Sequence, residues 1–229
     1  MTELTIHPLD PSDIPAVADI GATAMHDDEL FTFLCPHRDL YPSSFRQHFV
    51  TSLKKRYHTP DTHVFVAKTG GTVVGYAVWS RERRDIELSL LAIEEKYTSF
   101  LHLDSSLSYK NLALYNAHLQ KQHEDPVADV PECWSLEALA VVPAFQRHGI
   151  GSQLLAWGMQ QAREERVPVT LEASQAGLGL QSLILPAALA PRRNVGRLIK
   201  PLVERDVENE DMEALRVDAE SGCSSGVIL

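Results

Sequence analysis

The sequence predicts one α/β domain of the α+β kind, and three observations predict it. A paired-glycine turn, Gly70-Gly71, joins two β-rich runs, and an apolar strand from Trp134 leads through a glycine loop into an amphipathic helix. That helix is followed by a further strand-like run, Val167 to Glu172. With 229 residues and 44% hydrophobic composition the chain can bury a substantial core, and its length fits one enlarged domain, 1–229, better than two independent ones.

Leu4 to Pro8 alternates as a short strand, and Asp10-Pro11-Ser12-Asp13-Ile14-Pro15 supplies a helix start with Asp13 as the N-cap and Pro15 in the first turn. Val17, Ile20 and Ala24 follow at helical spacing. Met25 to Phe31 reads as an acid-rich turn, and a second helix is predicted from about Tyr41 to Arg56 with Phe45, Phe49, Leu53 and Val50 inward. His63 to Ala67 and Thr72 to Ser80 form the hairpin. The charged stretch 84–133 reads as a helical insertion, with a helix-like Leu112 to Gln120. In the helix behind the glycine loop, Ile150, Leu154, Leu155, Trp157, Met159 and Ala162 give a broad apolar face.

A formal charge of −10 and a pI near 5.4 argue against a nucleic-acid partner, because phosphate binding on that scale needs a basic face. An anionic cofactor must then be held by local groups. Cys35, Cys133 and Cys223 are odd in number and widely spaced, which suits neither a disulfide framework nor a metal site, and the ten scattered histidines receive no metal role. The first residues show no signal-peptide or transit-peptide pattern, and no apolar run is long enough to span a bilayer, so a cytoplasmic protein without a membrane partner is expected. A homodimer stays open.

Gln146-Arg147-His148-Gly149-Ile150-Gly151 sits between strand and helix. A helix entry exposes unpaired N–H groups and partial positive charge, so a pyrophosphate can bind there without many basic side chains. Glycine at 149 and 151 lets the backbone come close, while Arg147, His148 and Ser152 add donors. A Rossmann unit is the competing reading, but its fingerprint starts directly after the strand with three glycines, whereas Pro143 to Arg147 intervene here.

The run from Leu136 to Leu155, with its strand ending in Val142-Pro143 and the Gln146 to Gly151 loop, resembles the cofactor motif of the GNAT family of acyl-coenzyme A-dependent N-acetyltransferases. The resemblance is strongest from Trp134 to Ala173 and extends more softly over the opening strand and helix and the hairpin. It implies the GNAT fold: a central mixed, mostly antiparallel sheet flanked by helices, with 134–179 as the acyl-CoA-binding core, 84–133 inserted before it and 180–229 divergent after it. It implies acetyl-CoA as acyl donor and the amine of a small molecule as acceptor, with transfer by direct attack in a ternary complex.

By position in that resemblance, the free backbone of Leu139, Ala140 and Val141 pairs with the pantetheine arm and points an amide at the thioester carbonyl, an effect commonly worth about 3 kcal/mol per donor. Gln146, Arg147, His148, Gly149, Ile150, Gly151 and Ser152 hold the pyrophosphate, and Ser174 joins the cofactor site. Glu137 is the candidate base that deprotonates the amine, because an acid among Leu136, Ala138 and Leu139 would be desolvated. The bland alternative is an edge glutamate that solubilises one strand face, and spacing alone does not orient it. His26-Asp27-Asp28-Glu29 falls where the family lines its acceptor pocket, and acids there would suit a cationic amine, as a solvated turn would also explain them.

The resemblance fails at the family's tyrosine general acid. The chain reads Gly177-Leu178-Gly179-Leu180-Gln181 there and has no Trp, Tyr or Phe after Trp157. A thiolate of pKa about 8.5 can leave without protonation; Gln181, Ser182, Tyr109 and Tyr115 are the substitutes within the chain. The apolar, proline-broken run 183–191 and the basic and acidic stretches after it do not look like the family's last strands, whether through divergence or a shifted exon, and 217–229 is expected to be loosely ordered. Two alternatives to an acetyltransferase follow: a coenzyme A-binding protein with a degenerate catalytic site, and a GNAT-like protein repurposed for non-acetyl pathway chemistry.

Overall fold

The computed structural model describes residues 3–83, 104–121, 132–173, 193–194 and 227–228. Strand β1 (Leu4–Pro8) leads into a 3-10 turn, Pro11–Asp13, and helix α1 (Ile14–Ala24). Asp13 holds the expected N-cap position of α1 but makes no side-chain cap bond, whereas Asp10 caps the preceding 3-10 turn, its carboxylate accepting from the Ser12 N–H at 2.8 Å. Asp13 instead pairs with Lys68 at 2.8 Å, because its position in the turn aims it at the sheet.

The acid-rich stretch expected to be a turn begins a short helix, α2 (Glu29–Leu34). Six residues are too few for helical periodicity to show in sequence, but Asp28 accepts from the N–H groups of Leu30 and Phe31, and Phe31, Phe33 and Leu34 are buried. Helix α3 (Pro42–His58) follows with the predicted Phe45, Phe49, Val50 and Leu53 buried. Phe45 and Phe49 meet edge-on at 5.2 Å.

Strands β2 (Thr62–Thr69) and β3 (Thr72–Arg83) form the predicted hairpin, and Gly70 and Gly71 both take positive φ, as its tight turn requires. Helix α4 (Tyr109–Lys121) contains the helix expected at Leu112 to Gln120, while 84–103 and 122–131 of the expected insertion lie outside the described residues. Strand β4 (Glu132–Val141), helix α5 (Ile150–Glu165) and strand β5 (Val169–Ala173) complete the strand, loop, helix, strand order. Two short strands, β6 (Arg193–Asn194) and β7 (Val227–Ile228), come from the expected divergent region, whose other residues are not described.

Among the described residues the sheet runs β1-β2-β3-β4-β5-β6, with β7 on β4. The first four strands are antiparallel neighbours, and β4–β5 and β5–β6 are parallel, giving the mixed, mostly antiparallel sheet that was expected. Two cores cover its faces. On one side α1, α2, α3 and α4 bury Val17, Phe31, Phe45 and Leu112 with Val66, Val78, Ala138 and Ala140. On the other, α5 buries Ile150, Leu154, Leu155 and Met159 against Trp79, Leu136, Leu139 and Val141. No helix of the described residues is long and apolar enough to cross a membrane.

Candidate active site

Strand β4 contains one residue more than its partner. Val78 pairs with Ala138 and Trp79 with Leu136, which leaves Glu137 as the extra residue of a β-bulge. A bulge puts two consecutive side chains on one side of the strand. Leu136 and Leu139 face α5, Ala138 and Ala140 face α1 and α3, and Glu137 reaches the α3 side too, where it meets Arg56. Leu136 is also the last β4 residue paired with β5, opposite Leu171. Beyond it β4 parts from β5, so the bulge stands at the mouth of the opening.

Glu137 is held from two elements. Ser80 on β3 donates its hydroxyl to Oε1 at 2.7 Å, and Arg56 near the end of α3 donates Nε and a terminal nitrogen to Oε2 at 3.1 and 3.0 Å. The Glu137 side chain is 14% exposed and that of Arg56 29%. Glu137 is therefore neither an edge glutamate facing bulk solvent nor an isolated acid among aliphatic side chains. Arg56 and Ser80 were not legible as site residues: Arg56 stands in a basic run, Lys54-Lys55-Arg56, that reads as an ordinary helix end.

The opposite end of β4 delivers the chain into the glycine loop. A 3-10 turn, Pro143–Phe145, and left-handed Arg147 and Gly149 turn the backbone into α5, with Gly149 at φ +77 as N-cap and no side chain capping the helix. The N–H groups of Ile150, Gly151 and Ser152 open the helix and have no intrahelical acceptor. Arg147, His148 and Ser152 are exposed around them. A β-carbon on Gly151 would meet only Leu139 Cδ2, at 3.6 Å, an ordinary contact, so packing within the protein does not demand glycine there. Unpaired amides at a dipole's positive end fit a phosphate group.

Gln146 and His148 differ from a purely ligand-facing expectation. Gln146 Nε2 donates to the carbonyl of Val141 at 3.0 Å, bracing the loop on the strand end, and His148 Nδ1 lies 2.7 Å from the Gln146 carbonyl. On the free edge, Leu139 pairs with Ile228 and Ala140 with Val227, so the chain's own β7 lies where a pantetheine arm was expected. The expectation of a loosely ordered tail is corrected at these two residues. Ser174, Gln181 and Ser182 lie outside the described residues. Tyr115 is buried in the α1–α4 core and Tyr109 is exposed.

On the expected acceptor side, the acids are engaged locally. The His26 ring lies 2.7 Å from Asp27 and 2.9 Å from Asp39, and Asp28 caps α2, with burial pushing its carboxyl up to about 6. Deeper in the same layer, burial holds His48 down at about 4, with Asp104 opposing and Arg56 adding to the shift. Burial also pushes Tyr76 up to about 12.

A mixed sheet thus opens at a β-bulge, with an uncapped helix start at the far end of the opened strand. In comparison with known proteins, residues 113–182 match the family model described as the acetyltransferase (GNAT) family. An acetyltransferase from Stachybotrys chartarum is 23% identical over 169 residues, 72% of each chain. The structure of a histone acetyltransferase HPA2 and related acetyltransferase from Corynebacterium glutamicum matches with TM-score 0.53 and 21% identity, over 81% of this chain and 84% of that one. A polyamine N acetyltransferase from Drosophila melanogaster matches at TM-score 0.46 and 14% identity, over 80% and 81%. The chain thus shares its fold with a solved acetyltransferase, and its residues 113–182 resemble the GNAT family.

Proposed function

We propose that this protein transfers an acetyl group from acetyl-CoA to the amine of a small molecule, by direct attack within a ternary complex. The observation that carries the reading is the pairing of an uncapped helix start, Ile150 to Ser152, with a strand that leaves its neighbour after Leu136. Bound acetyl-CoA would supply a thioester acyl group. Within the chain, the amides of Ile150, Gly151 and Ser152, with Arg147 and His148 beside them, hold the pyrophosphate, and Gln146 braces the loop. Gly149 supplies the left-handed turn that presents those amides.

The β4 edge at Leu139, Ala140 and Val141 aligns the arm and directs an N–H at the developing negative charge, as backbone donors do in acyl transfer. Glu137, on the α3 side of the bulge, accepts the proton from the amine. With no aromatic hydroxyl after Trp157, the departing thiolate leaves unprotonated. The local engagement of Asp27, Asp28 and Asp39 removes the argument for an acceptor pocket selecting cations. A cytoplasmic location and a soluble amine acceptor are the working setting.

Titration calorimetry with coenzyme A, on the wild type and on Gly151→Trp, tests the loop. We expect binding in the wild type and at least tenfold weaker binding in the variant, since an indole would cover the amides. No heat in the wild type overturns the reading. Release of free thiol from acetyl-CoA across an amine panel then tests transfer, with Glu137→Gln expected to lower turnover more than coenzyme binding. The second reading, a coenzyme A-binding protein without transfer, is favoured by the lack of an aromatic hydroxyl after Trp157; coenzyme binding with no thiol release across the panel would establish it.

A further inference from the structure

The ion pair at the bulge has a chemical consequence for the acid it holds. A guanidinium within hydrogen-bond distance favours the ionised carboxylate, commonly by about 1–3 pK units, whereas burial alone would favour the protonated acid. Glu137 is subject to both. Its two oxygens have separate tasks in the structure, Oε1 accepting from the neutral Ser80 hydroxyl and Oε2 from the charged Arg56 fork. The two donors come from different elements, so the carboxylate is fixed in direction as well as charge.

We propose that Arg56 and Ser80 are positioning residues for Glu137, keeping its carboxylate ionised and directed to the α3 side of the open bulge. The proposal rests on the acyltransferase reading of the site. A base that must take a proton from an amine has to be ionised when substrate binds, and an adjacent guanidinium favours that form. Arg56 exchanges some basicity for ionisation and aim.

The neighbouring titratable groups among the described residues are engaged as follows. On α3, His48 is held neutral near pH 7 by burial and lies 3.8 Å from Asp104; on β3, Tyr76 is buried and neutral. Arg56 acts electrostatically on both His48 and Tyr76. Arg81, the residue after Ser80, reaches the opposite side, where it pairs with Glu132 and Glu165. Arg83 pairs with Asp61 at the strand end.

The test follows the Glu137 carboxyl by carbon-13 NMR in glutamate-labelled full-length protein, with Glu137→Gln identifying the signal. Arg56→Met, which keeps an apolar stem, is expected to raise the midpoint by at least one pH unit, a tenfold higher proton affinity, and Arg56→Lys to recover part of the shift. With an acceptor in hand, the acid limb of kcat/KM should move up by the same amount in Arg56→Met while the coenzyme A Kd stays within about twofold. A simple tie between α3 and the sheet would lower Tm and leave both midpoint and limb in place; that result overturns the proposal. A moved midpoint with an unmoved limb overturns its catalytic part. If Arg56→Met does not fold, Ser80→Ala is read instead, with a smaller upward shift expected and no shift overturning it. Because the carboxyl midpoint needs neither coenzyme nor turnover, failure of the acyltransferase reading would show separately, as a wild type that binds no coenzyme A.

Discussion

Gly158 on α5 lies against the indole of Trp79: a β-carbon at 158 would stand 2.3 Å from Cδ2 and 2.4 Å from Cε2. The contact lets the helix that carries the glycine loop pack directly on β3, with Trp79 fully buried beneath it. Gly158→Ala must push either the ring or the helix aside, and overpacking of this kind costs about 1–3 kcal/mol. We expect a lower Tm and a lower urea midpoint. An unchanged midpoint would show that helix and sheet separate without cost.

Asp28 caps α2 in a buried position, and burial pushes its carboxyl up to about 6 from an ordinary 3.8. The folded protein therefore retains a proton that the unfolded chain releases, and this contribution is present below about pH 4 and lost as pH rises through 6. Asn caps as well as Asp without ionising. Asp28→Asn should be more stable than the wild type at pH 7.5, by on the order of 2 kcal/mol, with the advantage vanishing near pH 4. Denaturant unfolding at the two pH values checks this, and a variant less stable at pH 7.5 contradicts it.

His48 works in the other direction. Burial holds its folded pKa at about 4, below the ordinary 6.5, so between these values the unfolded chain binds the extra proton and stability falls as the pH drops. The effect at pH 5 is on the order of 2 kcal/mol. His48→Gln should lose less stability than the wild type between pH 7 and 5, measured by urea unfolding. Equal losses in the two proteins would remove His48 from the acid response.

Val227 and Ile228 pair with Ala140 and Leu139 on the β4 edge proposed for the donor. Two occupants of one edge compete, and the apparent affinity of either falls with the fraction of sites left open. Deleting residues 227–229 should tighten coenzyme A binding by at least about threefold in calorimetry. Unchanged or weaker binding would mean that the donor does not use this edge.

Much of the architecture was legible because its signals are local. The hairpin follows from alternation on either side of Gly70-Gly71, and α5 from a period of apolar residues that Ile150, Leu154, Leu155 and Met159 all honour. The short helix α2 was missed because its formation depends on an Asp28 cap and on burying Phe31, Phe33 and Leu34 against distant partners, neither of which leaves a period in six residues. Asp13 stands at the N-cap of α1 as its sequence position suggests, but the intervening 3-10 turn, capped by Asp10, turns its carboxylate to Lys68 and away from the helix amides.

For the site the same division holds. The sequence by itself determined the strand, the Gln146 to Gly151 loop and the helix behind it, because a left-handed glycine and unpaired first-turn amides are properties of consecutive residues. Tertiary structure decided the rest. The bulge at Glu137 exists only through the register against Val78 and Trp79, and its carboxylate is governed by Arg56, 81 positions earlier in the chain. The occupant of the β4 edge comes from Val227 and Ile228 at the other end of the sequence. Contacts between residues so far apart are set by how the layers pack, and no local pattern encodes which side of a strand an extra residue will face.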